Sequence, residues 1–142
     1  SGRIDLSTDV TLPLLDQLHA DKTRYVTRSV ANHLNDIAKT QPDLVVETLK
    51  RWRSQQRQHP EELNWMTRHA LRTLIKQGHA ASLSLLGFNT SPKIQCSDIR
   101  LSKSSLKMGD TLEFSLDIIA ERDESLVVDY AIDFVKFLGI IY

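Results

Sequence analysis

The sequence predicts a mainly α-helical chain that ends in a small antiparallel β unit. Three observations carry that expectation. Apolar residues recur at helical spacing through the first two-thirds of the chain, as in Val26, Val30, Leu34 and Ile37. Proline followed by acid restarts the pattern at Pro42-Asp43 and again at Pro60-Glu61-Glu62. Beyond Gly87-Phe-Asn-Thr-Ser-Pro92 the period changes to two, most cleanly at Leu112, Phe114, Leu116 and Ile118.

The elements follow in order. Asp9–Ala20 reads as a short helix with Leu12, Leu15 and Leu18 inward and Pro13 in its early turns. A second helix starts at Thr23 or Arg24 and runs to about Lys39. Thr40-Gln-Pro-Asp43 is a stop and restart: Thr40 can cap, Pro42 suits a first turn, and Asp43 faces the positive helix end. The third helix runs to about Gln56 and buries Leu44, Val45, Leu49 and Trp52. The fourth, Glu61–Gln77, buries Met66, Ala70, Leu74 and Ile75, and Gly78 stops it. A short helix over Ala80–Leu86 closes the series. Paired helices with short turns, each with one apolar stripe, predict a HEAT-like α-solenoid over residues 1–88. Two or so repeats leave both ends of such a stack bare, and the chain opens without an initiator methionine, so further repeats are expected upstream.

Residues 92–142 predict strands. Ile94, Cys96, Ile99 and Leu101 fit one, with a bulge at Ser97-Asp98. Lys107-Met-Gly-Asp110 is a turn, Leu112–Ile118 a second strand, Glu121-Arg-Asp-Glu124 a charged turn, and Leu126–Val135 a third strand. That is part of a sandwich only. The apolar end, Phe137-Leu-Gly-Ile-Ile-Tyr142, leaves an edge expected to pair with a neighbour, so self-association through the β edge is anticipated.

Composition limits the function. The formal net charge is zero, from 18 basic and 18 acidic residues in 142. That balance hides an asymmetry: residues 1–91 hold 12 Lys/Arg against 9 Asp/Glu, and residues 92–142 hold 6 against 9. The basic excess gathers in Lys50–His79, where it could meet phosphates or form a solvated helical face. Cys96 is the only cysteine, which rules out an internal disulfide and fits a reducing, cytoplasmic setting. No apolar run is long enough to span a bilayer and no signal peptide is visible, so no membrane role is expected. The five histidines lack metal-ligand spacing, and no Gly-rich phosphate loop occurs, so neither a metal nor a cofactor is expected.

The most specific stretch is Tyr25–Asp43. Opposite its apolar stripe it places Arg28, Asn32 and Asp36 four apart, with Asn35 and Lys39 beside them. Packing alone does not call for two amides, a guanidinium and a carboxylate on one helix. The run Val26-Thr-Arg-Ser-Val-Ala-Asn-His-Leu-Asn-Asp-Ile-Ala-Lys39 before a proline resembles the AlkC/AlkD-type DNA alkylation repair glycosylases, and AlkC more closely. Arg68–His79 resembles the last helical repeat of those proteins, and Leu85-Leu-Gly-Phe88 the exit into their C-terminal immunoglobulin-like domain. Leu126–Tyr130 and Asp133–Lys136 resemble strands of that domain.

The resemblance implies the C-terminal part of an alkylpurine, 3-methyladenine-type, DNA glycosylase of base excision repair. Such enzymes hydrolyse the N-glycosidic bond of a base that alkylation has made cationic. A carboxylate and aromatic faces stabilise the charge that develops on the sugar. The family's catalytic carboxylates and an important tryptophan lie on preceding repeats, so the catalytic residues remain unknown here and the chain alone is expected to be inactive. The implied partner is double-stranded DNA containing alkylated purines. The implied DNA-binding set is Arg28, Asn32, Asn35, Arg68, His69, Arg72 and Lys76, with Arg68, Arg72 and Lys76 forming one i, i+4 stripe. Bland alternatives stand beside it. Asn32 and Asn35 could bond to inter-repeat turns, Asp36 could pair with Arg28 or cap a turn, and Trp52 and Trp65 could be packing residues. For the whole chain, the alternative is a non-catalytic HEAT-like protein-interaction scaffold.

Overall fold

A computed structural model describes residues 6–132. Among these, α1 (Thr8–Leu18), α2 (Arg24–Ala38), α3 (Pro42–Gln55), α4 (Pro60–Ala70), α5 (Arg72–Lys76) and α6 (Ala80–Leu85) precede β1 (Ile94–Cys96), β2 (Arg100–Leu101), β3 (Phe114–Ser115) and β4 (Ile118–Ala120). The chain is mainly helical with a small antiparallel β unit, as the periodicities require. None of the described helices is long and apolar enough to cross a membrane.

The helices form two layers. In one, α1 and α3 run parallel: Thr8 meets Gln41 at their starts and Asp16 meets Arg51 and Trp52 near their ends. In the other, α2 and α4 run parallel: Glu62 meets Arg24 and Thr27 at the starts, and Asn35 meets Ala70 at the ends. Leu34, Val45, Leu49, Trp52, Met66 and Leu71 fill the space between the layers. Burying each such side chain contributes roughly 1.5–3 kcal/mol.

A polar knot ties α1 to α3 beneath this core. Trp52 is fully buried and its indole Nε1 donates to Asp16 Oδ1 at 2.7 Å. The His19 ring stacks on it, centroids 4.2 Å apart and planes 6° from parallel. His19 Nδ1 donates to the Asp16 carbonyl at 2.7 Å, while Gln58 donates to the carbonyls of His19 and Asp21. Trp52 is therefore a packing residue.

Three boundaries differ from expectation. Thr40 does not cap α3; its hydroxyl donates to the Ile37 carbonyl at the end of α2, and Gln41 takes the cap position. The expected fourth helix breaks at Leu71, where φ is −93° and ψ 3°. The cause is side-chain competition, since the His69 and Ala70 carbonyls accept from Arg72 and Asn35, respectively. Gly78 does end the segment. Its φ of 70° lets His79 N reach back to Leu74 O at 2.9 Å, a turn closed by left-handed backbone.

In the β unit, β1 pairs with β4 and β2 with β3, both antiparallel. The register runs Cys96 against Ile118, then Arg100 against Ser115. Residues 97–99 thus oppose only residues 116–117, one extra residue on the first strand, which is the bulge expected at Ser97-Asp98. Ser97 holds it, donating N–H to Asp117 O at 2.9 Å and accepting from Asp117 N at 2.8 Å. The third predicted strand does not form over 126–132, which joins no ladder. Tyr130 instead lies against Phe114, ring centroids 5.4 Å apart. Residues 133–135 of that strand, and the apolar end Phe137–Tyr142, lie outside the described residues.

Two outcomes follow. Asn35→Ala leaves the Ala70 carbonyl without this partner and should cost about 1–3 kcal/mol in urea unfolding; an unchanged midpoint contradicts the buried bond. Burial holds His19 below its ordinary 6.5, so the folded chain resists a proton that the unfolded chain accepts. Its contribution is complete above about pH 6.5 and declines as pH falls below that value. His19→Gln should flatten part of that acid-side decline in thermal melts, and an identical pH profile in both proteins refutes the assignment.

Candidate nucleic-acid interface

Parallel α2 and α4 set two functional stripes side by side. On α2, Tyr25, Arg28 and Asn32 share one face and all three are exposed, Tyr25 at 84%. On α4, Trp65 and His69 lie one turn apart, and Arg72 follows just past the break at Leu71. The stripes are stitched by contacts. The Arg24 guanidinium carbon sits 3.9 Å from the Trp65 ring centroid. The Trp65 and His69 rings stack at 4.8 Å and 12°. His69 Nε2 lies 2.8 Å from Asn32 Oδ1, and Arg72 Nη2 reaches the same oxygen at 3.3 Å. The amide oxygen accepts, so Nε2 carries the proton. Among the described residues no hydrogen bond uses Asn32 Nδ2, so the amide keeps donor capacity.

The electrostatics are one-sided. His69 is held below its ordinary 6.5, first by burial, then by the charges of Arg72, Arg28 and Arg24. Three guanidinium groups therefore act on one imidazole and disfavour its protonated form. Arg24 is partly balanced: Glu62 accepts from its Nε at 2.8 Å and Nη2 at 2.6 Å, and from the Thr27 hydroxyl. The Arg24 hydrogen bonds hold the Glu62 carboxyl below its ordinary range. Arg28 and Arg72 pair with no carboxylate among the described residues. Asp36, the next residue of that stripe, bonds Lys39 at 2.7 Å. Chemically, such a face can capture anionic oxygens.

The expected site residues divide. Arg28, Asn32, His69 and Arg72 come together. Asn35 does not belong with them: it is 3% exposed, its Nδ2 donates to Ala70 O at 2.9 Å, and its Oδ1 accepts from Thr73. The Arg68–Arg72–Lys76 stripe is interrupted, because the helix breaks between its first two members. Arg68 lines an open hollow with Arg53, Asn64 and Trp65, while Arg72 turns to Asn32. Lys76 is exposed at the end of α5. Arg24 and Trp65 are members that the sequence reading placed elsewhere, at a helix boundary and in packing. The i, i+4 spacing of Trp65 and His69 was the available signal.

The comparisons agree with this architecture. A family profile described as "Uncharacterised protein YhaZ, C-terminal Ig-like domain" matches residues 95–140. The chain is 41% identical over 128 residues to "Uncharacterized protein YhaZ" of Bacillus subtilis (strain 168), covering 90% of this chain and 35% of that protein. It also matches the structure of Pseudomonas fluorescens alkylpurine DNA glycosylase AlkC bound to DNA containing an abasic site analog. There the TM-score is 0.69 and the identity 32%, over 79% of this chain and 30% of that one. The chain thus spans about a third of the length of either relative. By sequence and fold together, it is AlkC-like: HEAT-like helices followed by residues of a C-terminal immunoglobulin-like domain.

Proposed function

We propose that this chain is a DNA-gripping part of an alkylpurine DNA glycosylase. In this reading residues 1–88 supply the helical grip and residues 92–142 belong to the adjoining immunoglobulin-like unit. One observation carries it: Arg24, Arg28 and Arg72 converge around His69 and Asn32 on one exposed face. Guanidinium groups and an amide donor suit phosphate oxygens, which fix position on a duplex without reading its bases. The AlkC relative was solved on DNA with an abasic site analog, the product stage of base removal. The substrate of the intact enzyme is then duplex DNA bearing cationic purines of the 3-methyladenine type.

In this reading the chain positions and does not cut. Among the described residues the face holds no unshared carboxylate of the kind needed to stabilise a sugar cation, because Glu62 is committed to Arg24 and Thr27. Its contribution is orientation, holding the backbone so that catalytic groups on other repeats meet the damaged nucleotide. Residues 1–142 alone should therefore bind duplex weakly and release little or no 3-methyladenine.

A salt titration tests this. Each neutralised phosphate contributes about −0.9 to the slope of log affinity against log salt. Fluorescence anisotropy with a short duplex should show a steep negative slope. Combined Arg28→Glu and Arg72→Glu should abolish binding at low salt while helicity by circular dichroism is kept. Salt-independent affinity, or full affinity in the double variant, defeats the reading and favours a protein-interaction scaffold.

A further inference from the structure

Arg68 belongs to a second feature that the cationic face does not use. An open hollow of about 640 Å³ lies where α6 gives way to the β unit. Arg53 of α3 forms one wall, Asn64, Trp65 and Arg68 of α4 another, and Leu85 closes one end. Arg53 is held rigidly. Its Nη1 donates to the Leu85 carbonyl at 2.6 Å and its Nη2 to Asn64 Oδ1 at 3.3 Å. Both acceptors are neutral, so they orient the guanidinium without cancelling its charge. Its Nε is buried and has no hydrogen-bond partner. Arg68 is exposed, and neither arginine pairs with a carboxylate within 4.0 Å among the described residues. Glu61 also lines the hollow, but it sits seven residues from Arg68 along α4, roughly 10 Å by helical rise.

We propose that this hollow is a second phosphate site, filled by a backbone phosphodiester of the same DNA, with Arg53 and Arg68 as its cations. The proposal rests on the DNA-binding reading above and extends it. A half-buried, preoriented guanidinium with no counter-charge is stabilised by an anion more than an exposed lysine would be. Burial also pulls the Arg53 side chain below the ordinary guanidinium range. Trp65 connects the two sites, because the same side chain that lines the hollow lies against the Arg24 guanidinium and stacks on His69. A strand following the cationic face would therefore pass the hollow at the junction with the β unit.

The test compares Arg68→Gln and Arg53→Gln with the unaltered chain, first in the salt dependence of duplex binding. Each should reduce the slope magnitude by about one, the loss of a single phosphate contact. Arg53→Gln also removes the Leu85 tie and requires a helicity check; Arg68 is exposed, so its variant carries the conclusion. If duplex binding survives with an unchanged slope in Arg68→Gln, the second site is refuted while the face at Arg28 and Arg72 stands. A second arm titrates inorganic phosphate while following the Trp65 indole N–H by NMR. A shift that Arg68→Gln weakens supports the site, and no shift overturns it even in a chain that fails to bind duplex.

Discussion

The parallel register of α2 and α4 is the constraint on which the rest depends. Two polar contacts fix it, one at each end. At the start, the Glu62 carboxylate takes the Arg24 guanidinium and the Thr27 hydroxyl. At the end, the Asn35 amide reaches the Ala70 carbonyl and Thr73. Apolar packing alone tolerates sliding and rotation, whereas buried polar groups demand particular partners. A shift of one residue along α4 would separate Asn32 from both His69 and Arg72. The same contact also shapes the chain locally, since the Asn35 bond to Ala70 helps break the helix and frees Arg72 to turn back toward α2.

Most helices were legible because their apolar stripes and proline restarts are strong local signals. The β-bulge was legible too, because the alternation slips by one at Ser97-Asp98. What stayed hidden involved polar residues that are buried for tertiary reasons. Asn35 reads as a site residue beside Asn32, yet it shares an azimuth with Ala31 and Ala38, both buried. Small residues a turn away on both sides were the sign that another helix passes close there. Arg24 looked like a helix boundary, because its partners Glu62 and Trp65 lie far along the chain. The stripe from Arg68 to Lys76 assumed an unbroken helix, and no single-residue propensity at Leu71 warned otherwise.

The charge balance is informative only when resolved in space. A chain of zero net charge carries a local face where three arginines meet, and of these Glu62 engages Arg24. Asp16 holds Arg51 and Trp52, Glu62 holds Arg24, and Asp36 and Glu47 each bond a lysine three residues further on. Stability and recognition thus divide the charged residues between them. Asp16 and Glu62 serve as ties within the helical stack, and Arg28 and Arg72, which pair with no carboxylate among the described residues, define where an anion can approach.

The most direct test of this account is an NMR map of backbone and indole amide shifts on adding a short duplex. The account predicts changes concentrated in Tyr25–Asn32 and Trp65–Arg72, with Glu47 and Lys50 on α3 unaffected. Changes confined to α1 and α3, with the α2–α4 face silent, would contradict it.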